Sequence, residues 1–94
     1  MLICRWNDTT GWDAPAIVPY GDLIIPPSAS VLHYGIECFE GLKAYKDQLG
    51  KIRLFRPRLN MERLLKSAER LALPSFDQEE LLALIERLLR VVEA

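Results

Sequence analysis

The sequence has few of the residues from which catalytic and metal sites are usually built. Its 94 residues include one histidine and two cysteines, and Cys4 and Cys38 stand too far apart to form a CxxC or metal-ligand motif. No GxSxG, HExxH or glycine-rich phosphate loop is present. The residues alone therefore offer no paired catalytic motif, no metal site and no disulfide framework.

Long apolar runs and an excess of one charge are also missing. The chain has twelve Lys and Arg residues and thirteen Asp and Glu residues, so its charge is nearly balanced. No run approaches the roughly 20 apolar residues that cross a bilayer. We therefore expect small molecules or other protein as partners, with no nucleic acid and no membrane. No targeting signal is visible, so we expect a cytoplasmic protein; a mitochondrial location would require a transit peptide upstream of Met1.

Half of the residues are hydrophobic, which is typical of a globular domain. A chain of this size buries roughly 60–65% of the surface that its unfolded form exposes. That leaves little room for a closed cofactor site. The composition predicts one soluble domain over residues 1–94, whose active site, if it has one, is shared with other protein.

Turn residues divide the first half of the chain into an extended beginning, a helix and a hairpin. Residues 16–25 are predicted to be extended, and helical spacing from Val31 to Leu42 predicts a helix over about 29–40 that Gly41 ends. Two short alternating segments flank Asp47 and Gly50, which supply turn chemistry. This pattern predicts a β-hairpin over residues 43–55.

Two further helices are predicted in the second half. Pro57 suits the first turn of a helix that ends before Pro74, and Asp77 with Glu80 forms a capping-box pattern for a helix through Val92. The order of elements favours an α+β domain with helices packed on a mainly antiparallel sheet. No terminating residue follows Val92, so we expect the natural chain to continue.

A basic stripe is the most informative polar feature. Arg63, Lys66 and Arg70 lie off the apolar arc of the second predicted helix at i, i+3 and i+7. An arginine suits a phosphate dianion, because its planar fork donates two parallel hydrogen bonds and stays charged. The same pattern is also typical of a solvated face that is paired with Glu62 and Glu69. The residues alone leave both interpretations open.

Three residues in or near the first predicted helix have side chains that occur in binding sites. Tyr34 and Phe39 lie where an aromatic ring can line a cleft, although core packing by Phe39 and anchoring by Tyr34 explain them equally well. His33, next to an apolar leucine, is expected to be structural or solvated. We assign it no role.

Several runs resemble branched-chain amino acid aminotransferases. They are VLHY at 31–34, CFEGLKA at 38–44, KIRLFRP at 51–57, LNMER at 59–63 and LPSFD at 73–77, preceded by Trp6-Asn7-Asp8 and Gly11-Trp12. The resemblance spans nearly the entire chain in the expected order. It implies the N-terminal small-domain portion of a fold-type IV pyridoxal-phosphate enzyme, a homodimer that transfers an amino group between leucine, isoleucine or valine and 2-oxoglutarate.

The resemblance also implies roles for three residues. Arg63 matches the arginine that binds the phosphate of pyridoxal 5'-phosphate, and Tyr34 and Phe39 match aromatic residues that line the pocket for the branched side chain. The family's Schiff-base lysine lies downstream, in a large pyridoxal-phosphate-binding domain that is absent from these 94 residues. We therefore expect no catalytic residue here and no activity from this chain alone.

Two alternatives remain open. A stand-alone small domain could bind an anion or another subunit through Arg63, Lys66 and Arg70. A related fold-type IV enzyme, such as a D-amino acid aminotransferase or an aminodeoxychorismate lyase, could carry the same fold. The Phe39–Ala44 run and the Arg53–Pro57 segment favour the branched-chain enzymes.

Overall fold

The computed structural model describes residues 1–93, which form six short strands and three helices. In chain order the elements are β1 Leu2–Ile3, β2 Trp6–Asn7, β3 Gly11–Trp12, β4 Ala16–Ile17, α1 Ser30–Tyr34, β5 Ala44–Lys46, β6 Ile52–Leu54, α2 Pro57–Arg70 and α3 Gln78–Glu93. The predicted α+β class is confirmed. The hairpin and the two later helices also lie where the sequence places them.

The strands form three separate antiparallel pairs among the described residues. β1 pairs with β4, β2 pairs with β3, and β5 pairs with β6. The prediction that helices pack on one mainly antiparallel sheet was therefore wrong in this respect, although every pair is antiparallel. The physical reason is length, because strands of two or three residues are too short to build a larger sheet.

The extended beginning is shorter than predicted. Of residues 16–25, only Ala16 and Ile17 belong to a strand, and Leu23 and Ile24 are exposed to solvent. Prolines on both sides of this apolar piece lack the backbone N–H that a ladder needs. The paired strands β2 and β3 lie before it and were not predicted.

The first helix is also shorter than predicted. It covers Ser30–Tyr34 instead of residues 29–40, because Gly35 adopts the left-handed conformation (φ 61°) that ends helices. Gly35, and not Gly41, is thus the helix terminator. The helical spacing of Val31, Tyr34 and Cys38 did not indicate that the helix ends at Tyr34.

The core lies between α2 and α3, which pack on each other, while β1 contacts α3. Its buried apolar residues are Met61 and Ala68 from α2 and Leu82 from α3. Pro57 occupies the first turn of α2 as predicted, and the chain turns at Ala72, which has a φ of 54°. Helix α2 of this pair carries Asn60 and Arg63, which are described below.

Asp77 begins α3 as the capping pattern predicts. Its Oδ1 accepts a hydrogen bond from the Glu80 backbone N–H at 3.0 Å, and its carbonyl oxygen accepts one from the Leu81 N–H at 3.1 Å. One of the otherwise unsatisfied N–H groups at the helix start is therefore bonded.

We expect Asp77→Ala to lower the free energy of unfolding by about 1 kcal/mol, because the first turn of α3 loses this acceptor. Urea denaturation followed by circular dichroism measures the change. Asp77→Asn is the matched control, since its amide oxygen still accepts the bond. Equal losses for the two variants would show that the cap does not stabilise α3.

Much of the apolar surface is uncovered. The described chain exposes 7866 Å² and has a radius of gyration of 15.0 Å. A compact monomer of this mass is expected to expose about 5500 Å², with a radius of gyration of about 12 Å.

No helix within residues 1–93 is long and apolar enough to cross a membrane.

Candidate functional site

Arg63, in the second turn of α2, forms a two-pronged ion pair with Glu40. Its Nε donates to Glu40 Oε1 at 2.8 Å, and its Nη2 donates to Glu40 Oε2 at 2.6 Å. The carboxylate is nearly buried, with its side chain 11% exposed, whereas the Arg63 side chain is 66% exposed. The pair is therefore anchored at the glutamate and open to solvent at the guanidinium.

Asn60 also donates a hydrogen bond to Glu40. Its Nδ2 donates to Glu40 Oε2 and to the carbonyl oxygen of Gly41, each at 3.0 Å. Asn60 is buried, and it shares a face of α2 with Arg63 because the two residues are three positions apart. One helix face thus grips the loop at residues 40–41 with two side chains.

The electrostatics of this cluster favour two charged groups. The hydrogen bond from Arg63 holds the pKa of the Glu40 carboxyl below its usual range; partial burial opposes this, and the Asn60 hydrogen bond and the Arg63 charge add to it. The Glu40 hydrogen bond in turn raises the pKa of Arg63. Because the pKa of Glu40 is lower in the folded chain than the unfolded value, near 4.3, the ionised carboxylate stabilises the fold at pH values above that unfolded value. This contribution is lost as the pH falls through the folded pKa.

The guanidinium of Arg63 still has donors to offer. Arginine carries five N–H donors, and the Glu40 carboxylate takes two of them. In the part of the chain that the structure describes, its Nη1 makes no hydrogen bond to protein. With two-thirds of the side chain exposed, this edge of the fork is suited to an anion arriving from outside.

The other members of the basic stripe differ from Arg63. Lys66 and Arg70 are exposed, and neither forms an ion pair within residues 1–93. The interpretation in which Arg63 pairs with Glu62 or Glu69 was wrong, because its partner lies 23 residues earlier in the chain. The stripe is therefore one positioned arginine beside two solvated cations.

The two aromatic candidates are both exposed. Tyr34 ends α1 with 80% of its surface exposed, and Phe39 is 86% exposed. Phe39 is therefore not a core residue of this chain, and it lies next to Glu40, the partner of Arg63. No hydrogen bond of the described residues brings Tyr34 to this cluster. His33 Nε2 lies 2.6 Å from the Pro27 carbonyl oxygen, a local structural contact.

A separate apolar groove of about 770 Å³ lies between the N-terminal strands and the two long helices. Its lining includes Trp6, Trp12, Cys4 and Cys38, and both cysteines are free thiols. Arg63, Tyr34 and Phe39 do not line it. Across residues 1–93, no group of three or more His, Cys, Asp or Glu side chains is arranged to hold a metal ion.

Comparison with known proteins shows which enzymes this chain is similar to. No family model matches the chain. A branched-chain-amino-acid aminotransferase of Monosiga brevicollis is 58% identical over 88 residues, or 94% of this chain, and one of Dictyostelium discoideum is 57% identical over the same length. The cytosolic enzyme of Mus musculus is 55% identical over 91 residues, or 97% of this chain. This chain is homologous to part of a branched-chain aminotransferase.

The resemblance read from the sequence is thereby confirmed. The chain spans 23%, 23% and 24% of the length of these three aminotransferases, and it matches their N-terminal portion. A mitochondrial enzyme of Rattus norvegicus is 53% identical over 91 residues. Cytosolic and mitochondrial branched-chain aminotransferases therefore share this segment, so it does not indicate a compartment.

Glu40 and Asn60 were not singled out from the sequence. Glu40 stands in the CFEGLKA run and Asn60 in the LNMER run, two of the segments that carry the resemblance to branched-chain aminotransferases. For Asn60 the available signal was its place three residues before Arg63 in the same run; for Glu40 it was only its place in a run that carries the resemblance.

Proposed function

We propose that this chain is the N-terminal small-domain portion of a fold-type IV branched-chain aminotransferase. The observation that carries the proposal is the identity of 52–58% over nearly the whole chain with aminotransferases of that name. In this proposal the complete enzyme is a homodimer, its substrates are small amino and oxo acids, and its active site is completed by residues outside these 94.

The large exposed surface supports the proposal that this chain is a portion of a larger protein. An exposed area some 40% above that expected for a compact monomer is typical of a domain whose apolar faces are covered by further protein. The solvated aromatic rings of Tyr34 and Phe39 fit the same interpretation, because a pocket wall needs a second wall to exclude water.

The residues present fit one end of pyridoxal phosphate, namely its phosphate. Arg63 would hold that group through the N–H donors that Glu40 does not use. When bound, the cofactor supplies the carbonyl that takes up and returns the amino group. Tyr34 and Phe39 would form an apolar wall for the branched side chain, where each buried methylene contributes about 0.8 kcal/mol and charged side chains are rejected.

A hybrid enzyme tests the proposal. In it, the matching 88 residues of the Monosiga brevicollis aminotransferase are replaced by the corresponding part of this chain. We expect the hybrid enzyme to form glutamate from leucine and 2-oxoglutarate, and the same enzyme without the segment to be inactive. A folded hybrid that fails to turn over at saturating cofactor would contradict the proposed function.

The two alternatives make different predictions for the same material. If the chain is an anion-binding module, Arg63, Lys66 and Arg70 should act as one basic face. The ion pairs do not favour this alternative, because within residues 1–93 Arg63 is the one member of the three that forms an ion pair, with Glu40. A D-amino acid aminotransferase predicts that the hybrid enzyme prefers D-alanine over L-leucine as the amino donor. Comparing the two donors in one assay separates that alternative.

Phe39→Ala is expected to leave the unfolding free energy of the 94-residue chain within about 0.5 kcal/mol, because the ring is exposed. In the hybrid enzyme the same change should lower kcat/KM for leucine about tenfold or more, since a pocket wall is removed. Leu49→Ala, another exposed apolar residue, is the control. Equal effects of the two substitutions on kcat/KM would remove Phe39 from the pocket.

A further inference from the structure

The Glu40 carboxylate is an unexpected neighbour for an arginine that binds phosphate. Its negative charge opposes a phosphate dianion, and a nearly buried carboxylate is desolvated at a cost. Nevertheless both of its oxygens face Arg63, and the buried amide of Asn60 reinforces one of them. An arrangement with this many partners calls for a role beyond charge balance.

The geometry restricts the guanidinium to one plane. Two parallel hydrogen bonds, from Nε and from Nη2, define both the position and the orientation of the fork. Nη1 and the second Nη2 hydrogen then stay available in a fixed direction. A ligand that binds an arginine already held in place loses less side-chain freedom than one that must order it.

We propose that Glu40, itself held by Asn60, is the positioning residue for Arg63, and that it orients the arginine's remaining donors toward the phosphate of the cofactor. This inference rests on the proposed function. Glu40 does not touch the phosphate in this arrangement, because its two oxygens are turned to Arg63 and Asn60. The hydrogen bond from Arg63 lowers the pKa of the Glu40 carboxyl, which agrees with a carboxylate that is ionised at neutral pH.

Two simpler roles predict different outcomes. If Glu40 acts only as a counter-ion, its removal strengthens phosphate binding, since the repulsion is lost. If it only fastens the loop at residues 40–41 to α2, its removal weakens the fold, and any effect on the cofactor is independent of Arg63. Positioning alone makes the effect of Glu40 depend on the presence of Arg63.

The experiment is a double-mutant cycle in the hybrid enzyme as holoenzyme, with pyridoxal phosphate as the probe. We expect Glu40→Ala to raise the cofactor Kd about tenfold, as loss of an orienting partner does for metal ligands. Glu40→Gln, which keeps one acceptor oxygen, should give an intermediate Kd. In the Arg63→Ala background, Glu40→Ala should have no further effect.

Glu79→Gln is the matched control, because Glu79 of α3 forms a similar two-pronged pair with Arg58 of α2, the helix that also carries Arg63. It should leave the cofactor Kd unchanged. Thermal unfolding of each variant separates a folding defect from a binding defect, and Glu40→Gln remains decisive if Glu40→Ala does not fold. Tighter binding in either Glu40 variant, or additive losses in the cycle, would overturn the positioning role.

The outcomes also separate this inference from the proposed function. If Arg63→Ala weakens cofactor binding and the Glu40 variants do not, the positioning role is wrong and the phosphate assignment stands. If Arg63→Ala has no effect in an active hybrid enzyme, both the phosphate assignment and the positioning role are wrong. If the hybrid enzyme is inactive although folded, the proposed function itself fails.

Discussion

Arg63→Ala is expected to raise the Kd of pyridoxal phosphate about ten- to a hundredfold in the hybrid enzyme. Charge-assisted hydrogen bonds to an ionised partner account for a change of this order. Lys66→Ala and Arg70→Ala should change the Kd by about threefold or less, because both side chains are exposed and have no ion-pair partner among residues 1–93. Titration of the apoenzyme at fixed ionic strength measures all three.

Arg63→Lys refines this prediction. A lysine keeps the positive charge but loses the planar fork, so it can bond neither Glu40 nor the phosphate with two parallel N–H groups. We expect its Kd to lie between that of the parent and that of Arg63→Ala. Equal losses for Arg63, Lys66 and Arg70 would indicate a diffuse basic face, and no loss at Arg63 would end its assignment to the phosphate.

The 94-residue chain by itself is expected to show no amino transfer and no stoichiometric labelling of any one lysine after incubation with pyridoxal phosphate and borohydride. Its four lysines, Lys43, Lys46, Lys51 and Lys66, are all exposed. None has the buried, apolar surroundings that activate a lysine as a nucleophile. Mass spectrometry of the reduced product detects any labelled residue.

The hybrid enzyme is the positive control for this experiment, since its labelled lysine should lie outside the 94-residue segment. Sparse labelling spread over several exposed lysines is the background expected of any protein with free amines. Stoichiometric labelling of one lysine together with turnover of leucine by the isolated chain would show that these residues contain a complete site.

The second half of the fold followed from local signals in the sequence. Pro57 and the capping pattern at Asp77 predicted where α2 and α3 begin, and turn chemistry at Asp47 predicted the hairpin. Each of these signals acts within one turn of its own position. Hydrophobic periodicity then identified the faces that supply the core residues Met61 and Leu82.

The first half followed less well, because its structure depends on pairing between distant segments. Leu2 pairs with Ile17 across fourteen intervening residues, and neither short apolar piece indicates its partner. Gly35 ended α1 because its backbone is left-handed, whereas helical spacing continued to Cys38. Spacing reports which face a side chain would occupy, and it does not report where the backbone leaves the helix.

The sequence alone indicated the resemblance to branched-chain aminotransferases, predicted the α+β class and singled out Arg63 as the candidate arginine. A helical wheel showed that Arg63 points away from the core, but it could not name a partner from another segment. Only the tertiary structure brought Glu40, 23 residues earlier, to within 2.6 Å of Arg63 and left Lys66 and Arg70 in solvent. The physical reason is that helix faces are set by local geometry, whereas an ion pair between segments exists only after the packing of α2 has placed the loop beside it.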